Sequence, residues 1–146
     1  MVATLLVILM SLSWPAMNRA AASTRLERTG RSILRALSFA HDRAITERRH
    51  YRVLLDGSRH HYTIERENDP VNSPGVFGKI TDSFQNACYW PQDISVGDLP
   101  QDALLFLPDG SALDGGFTLH NLQGEKLRLR IQGITGRCSF IDAQGG

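Results

Sequence analysis

Charge is missing from the first eighteen residues: Met1 to Asn18 hold no Asp, Glu, Lys or Arg. No cation precedes Arg19, so these residues lack the positive n-region of a secretory signal peptide. Glycine is absent before Gly30, so no turn signal interrupts the first thirty residues. Cysteine is scarce. Cys88 and Cys138 are the only two, which excludes a multi-disulfide scaffold. In an oxidising compartment they could pair, closing a loop of roughly fifty residues worth about 4 kcal/mol in the chain-entropy model. Two buried thiols are the other reading. No H-x-x-x-H, C-x-x-C, EF-hand loop or G-x-S-x-G occurs. His60 and His61 are adjacent on a strand and point to opposite faces, and His41, His50 and His120 lack local partners. Asp109 and Asp114 flank a turn, in the manner of turn formers rather than an acid/base pair. We therefore expect no catalytic residue, no metal ligand and no cofactor. Repeats and low-complexity tracts are also absent.

What is present begins with an apolar tail, MVATLLVILMSLSWPAM. It is slightly short for a spanning helix, which needs roughly 20 apolar residues. Ala20-Ala21-Ala22 offers a small-residue cleavage site, so a soluble protein released after Ala22 is a rival reading. Yet the helical pattern does not break there. From Leu26, small or apolar residues recur at Gly30, Ile33, Leu34, Leu37, Ala40, Ala44 and Ile45, the 3-and-4 spacing of one helical face. Pro15 should loosen the helix locally, because it removes one backbone bond. Read straight through, Val2 to Arg49 would span about 72 Å.

After Arg49 the period changes to 2. Tyr51 to Leu55 and His60 to Glu65 read as a hairpin around Asp56-Gly57-Ser58-Arg59. Residues 67–78 hold two prolines and two glycines and read as loop. Residues 79–100 show no clear period; within them Tyr89-Trp90 is either an exposed contact pair or core. Ala103 to Leu107, Gly116 to Leu122 and Lys126 to Gln132 read as strands, joined by turns at Pro108-Asp109-Gly110-Ser111 and Gln123-Gly124-Glu125. In the last strand Leu127, Leu129 and Ile131 should point inward.

The net charge of +1 hides an asymmetry. Residues 18–66 carry eleven arginines against five acids, and residues 67–146 five cations against ten acids. A basic stripe can meet nucleic acid or anionic lipid, or be a solvated helix face.

Three segments resemble the type IV pilin superfamily, and within it the GspH/FimT group of minor pseudopilins and minor pilins. The apolar run ending in Trp14-Pro15 is similar to the family's membrane half-helix. LSFAHDRAITERRHYRV (37–53) is similar to its helix end and first strand. LLFLPDGSALDGGFTLHNLQGEKLRLRIQGITGR (104–137) is similar to its C-terminal signature, with an F-x-P-D-G-S turn and a closing T-G-R. The resemblance implies an α+β fold: a long N-terminal helix packed on an antiparallel β-sandwich-like domain. Residues 1–24 would be the transmembrane or filament-core half-helix, 25–50 the amphipathic half and 51–146 a periplasmic β domain. Val2, Leu5, Leu6, Ile8, Leu9 and Pro15 would serve membrane and filament packing. Leu26, Ile33, Leu37 and Ala44 would dock the β domain.

The implied job is structural: a subunit held in the inner membrane by a single pass, assembling with other pseudopilins near the tip of the type II secretion pseudopilus. A pilus minor pilin serving adhesion, motility or DNA uptake is the alternative. Nucleic acid is not expected as a partner, since Arg137 is the one cation in the ITGRCS stretch and phosphate binding takes several. Family members carry a basic leader, a Gly-Phe cleavage site and a Glu five residues into the mature chain. Met1-Val2 fits the Met-Val that follows that Glu-Leu, so the codons ahead of Met1 are expected to encode those elements.

Overall fold

The computed structural model describes residues 2–81, 84, 86–99 and 103–141, with the side chains of 12–16 and 18 outside the description. One helix, α1 (Val2–Glu47), leads into the strands. It is unbroken across position 15; the expectation placed on the Pro15 side chain lies outside the described residues.

Two antiparallel sheets follow. The first orders β3 (Ser73–Lys79), β2 (His61–Asp69), β1 (Tyr51–Asp56) and β6 (Ala103–Phe106), with β4 (Cys88–Tyr89) pairing the start of β2. The second orders β5 (Ser95–Gly97), β7 (Gly115–His120), β8 (Lys126–Ile131) and β9 (Cys138–Ile141). The β1–β2 hairpin turns where Asp56 Oδ1 accepts the amides of Ser58 and Arg59. In the 108–111 turn Ser111 donates to Asp109 Oδ1 in the same way, and Gly110 takes a φ of 89°. Such side chain–backbone bonds are why Asp nucleates turns.

Strand alternation supplies one core. Val53, Leu55, Tyr62, Ile64, Leu104 and Phe106 come from the first sheet, and Phe117, Leu119, Leu129 and Ile131 from the second. Leu127 is half-buried against this cluster, while Lys126, Arg128 and Arg130 face water. α1 packs on both sheets, touching β1, β2, β6, β7, β8 and β9.

Residues 67–78 are a correction to the sequence reading. β2 continues to Asp69, and Ser73–Lys79 forms an edge strand with a bulge between Glu67 and Asp69. An edge strand tolerates proline, because one row of its backbone groups faces solvent. Pro74 and Gly75 therefore interrupt the apolar alternation without preventing pairing.

Candidate assembly surface

Val2, Leu5, Leu6, Val7, Ile8, Leu9 and Met10 are each more than half exposed. Among the described residues of α1, the first that is buried is Ala22. The helix thus runs beyond the domain for about 30 Å. Contiguous apolar surface of this kind marks an interaction site, since soluble monomers seldom expose it. Ser11 Oγ donates to the Ile8 carbonyl at 2.8 Å, so its hydroxyl is satisfied within the helix and does not oppose apolar surroundings. Among the described residues no helix is long and apolar enough to cross a membrane. The run Val2–Met10 covers about 13 Å, well short of a ~30 Å hydrocarbon core.

The second half of α1 is docked. Leu26, Ile33, Leu37 and Ala44 lie in the core, with Ala22, Ala36 and Ala40 buried on the same face. Small residues let the helix lie close to the sheets. Gly30 is a point of close approach, because a Cβ there would collide with Leu127 and press on Phe140. Further along, His41 Nε2 lies 3.0 Å from the Gly110 carbonyl, and its ring meets Phe106 edge-on. Gly136 (φ 66°) fits against the same His41 ring and the same carbonyl. The two turns of the C-terminal signature are therefore stapled together by one helix residue.

A polar lock fixes the end of α1. Glu47 Oε2 accepts from the Tyr51 hydroxyl at 2.5 Å and from Arg66 at 3.4 Å. Burial works to raise the Glu47 carboxyl, but the bonds from Tyr51 and Arg66 and the charges of Arg66 and Arg43 hold it below the usual carboxylate value. Buried Glu67 accepts from the Gly75 amide at 2.9 Å and pairs with His50 Nδ1 at 2.7 Å. The Gly75 bond does most to hold its carboxyl low, against the opposing effect of burial. Arg49 donates to the carbonyls of Glu67 and Asn68. Helix, first strand and β2–β3 hairpin are thus tied together by side-chain bonds. Sequence reading missed this lock. Its local signals are the i,i+4 spacings of Arg43 with Glu47 and of Glu47 with Tyr51; Glu67 and Gly75 lie across a hairpin.

The remaining sequence-nominated residues scatter. Cys88 and Cys138 are free thiols on different sheets, so the pairing considered for them is not made. Burial pushes the Cys138 thiol up to about 12. Tyr89 and Trp90 separate: Trp90 is core and donates to the Ile94 carbonyl at 3.0 Å, while Tyr89 is 75% exposed. Asp114 accepts the Gly133 amide, and Arg137 is exposed at its turn. Among the described residues no cluster of His, Cys, Asp or Glu is placed to hold a metal ion.

Over residues 29–135 the chain matches the family described as Type II transport protein GspH. It is similar in fold to the minor pseudopilin EpsH from the Type 2 Secretion System of Vibrio cholerae, with TM-score 0.66 and 16% identity, covering 84% of this chain and 99% of that one. It is also similar to the type IV minor pilin FimU of Pseudomonas aeruginosa, with TM-score 0.54 and 16% identity over 87% and 92% of the two chains. Among curated proteins none matches it in sequence.

Proposed function

We propose that this chain, which belongs to the GspH family, is a minor pseudopilin that serves type II secretion by assembling near the tip of a pseudopilus. The observation that carries the reading is α1 itself: an exposed apolar half continuous with a half locked into the domain. The subunit would wait with its apolar half in the inner membrane and its domain in the periplasm. It would then pass into a filament core of neighbouring helices. Both surroundings are apolar, so the transfer changes little for Val2, Leu5, Leu6, Ile8 and Leu9. The lock at Glu47, His50 and Glu67 supports the same role, because a helix gripped by its domain transmits force along the rod. Cleavage after Ala22 would remove the exposed apolar half and leave Leu26, Ile33, Leu37 and Ala44 docked, so the mass of the exported form tests release of a soluble domain: loss of residues 1–22 would end the pseudopilin reading.

A pilus role is the second reading, favoured by the likeness to FimU. Deletion of the gene separates the two. Under the secretion reading, exported proteins accumulate in the periplasm and pilus-dependent motility and DNA uptake persist; the wild-type gene restores export. The opposite pattern would assign the chain to a pilus.

A further inference from the structure

A groove of about 260 Å³ runs between α1 and β4. Its walls include Arg25, Arg28, Ser32 and Tyr89, and its floor Tyr62 and Trp90. The floor is rigid: the two rings stack at 6.5 Å, and the Tyr62 hydroxyl lies 2.8 Å from Ser32 Oγ. Arg25 is paired with Asp93 at 3.1 Å. Arg28 has no carboxylate partner among the described residues, nor has Arg35 one turn-pair further on. Arg25, Arg28, Arg31 and Arg35 fall within about 120° of helix arc; Arg25 and Arg28 line the groove, Arg31 is paired with Glu27 at 2.6 Å, and among the described residues Arg28 and Arg35 are left as the cations of this face without a carboxylate.

We propose that this groove receives an acidic segment of a different pilin-like subunit, Arg28 and Arg35 taking its carboxylates and Tyr89 covering an adjoining apolar side chain. The inference rests on the assembly reading above. Arginine, tyrosine and tryptophan are the residues that anchor protein interfaces, and guanidinium takes carboxylate bidentately. The groove and the apolar half belong to the same helix, so a neighbour that packs along α1 passes both.

Two other occupants fit less well. A lipid headgroup layer level with Met17 would lie about 16 Å from Arg28 and 27 Å from Arg35 along the axis, against a Debye length of ~8 Å. A second copy related by a two-fold axis would oppose the same cationic face. Among the described residues its carboxylates are also largely engaged at home: Glu67 by Gly75 and His50, Asp69 by Asn72, Asp93 by Arg25, Asp109 by Ser111 and Asp114 by Gly133.

The test places a benzophenone amino acid at Tyr89 of the full chain in its native cell, and in a parallel strain at Leu6. Irradiation should link position 89 to another pilin-like subunit, at a peptide holding at least two Asp or Glu. Charge reversal by Arg28→Glu with Arg35→Glu should cut that yield about tenfold, as loss of a close charge pair does, and leave the Leu6 adduct unchanged. Links from position 89 to lipid, nucleic acid or a second copy, no link at all, or a yield indifferent to the reversal each overturn the proposal. Absence of the Leu6 adduct would instead overturn the assembly reading, so the two failures are distinct.

Discussion

Gly136 sits at a point where two neighbours leave no room for a side chain. Its φ of 66° is the left-handed region, and a Cβ there would meet the His41 ring and the Gly110 carbonyl. Gly136→Ala should therefore cost about 1–3 kcal/mol in backbone strain alone, plus the displacement of His41. Urea denaturation of the full chain in detergent measures it, and a loss under about 0.5 kcal/mol, the scale of neutral surface changes, would contradict the staple. Cys138 gives a second residue-scale outcome. With its thiol pushed up to about 12 by burial, roughly one molecule in ten thousand carries the reactive thiolate at pH 8. Iodoacetamide should leave Cys138 unmodified until denaturant is added; rapid alkylation of the native chain would show that the thiol is not enclosed.

At the scale of elements, the joint between α1 and the β2–β3 hairpin depends on two carboxylates. Glu47 and Glu67 both fold with carboxyls below their ordinary value of 4.5. Each therefore binds a proton less readily folded than unfolded. Their contribution is complete above about pH 4.5 and is lost as pH falls through the folded values. The melting temperature should drop as pH is lowered through about 4.5 and below. Glu67→Gln should cost about 1–3 kcal/mol at neutral pH, the scale of a buried unsatisfied group, and flatten that pH slope without abolishing it, because Asp56, Asp69 and Asp109 are lowered too. An unchanged slope would remove Glu67 from the joint. The docked half of α1 and the strands β1, β2, β6 and β8 were legible in sequence, because each buries one face and so prints its period into the apolar pattern; β7, buried at three successive residues, was legible from the turns that bound it. The edge strand β3 was not: exposed along most of its length, it has no face to bury and no pattern to show. The short strands β4 and β5 are too brief for any period to develop. The candidate assembly surface was legible as a run of apolar residues, whereas the polar lock depends on partners that only the hairpin brings together.

At the scale of the whole molecule, the two halves of α1 answer to different surroundings, and this separates folding from assembly. Leu37 sits in the core with no exposed surface; Leu37→Ala should cost about 2–5 kcal/mol of domain stability through a cavity. Leu6 and Ile8 lie about 20 Å or more along the helix from Ala22, where burial against the domain begins. Substitutions at such distance act independently of the core. Leu6→Glu with Ile8→Glu should therefore leave the urea midpoint within about 0.5 kcal/mol of wild type. The same pair puts two carboxylates into an apolar setting, at roughly 2.5–3.5 kcal/mol each near a bilayer centre. The folded variant should accordingly move from the membrane fraction to the soluble fraction and fail to restore function in cells lacking the gene. Retention of the variant in the membrane with full function would mean that the apolar half is not what holds the subunit in place; loss of domain stability would mean that the two halves of the rod are not independent.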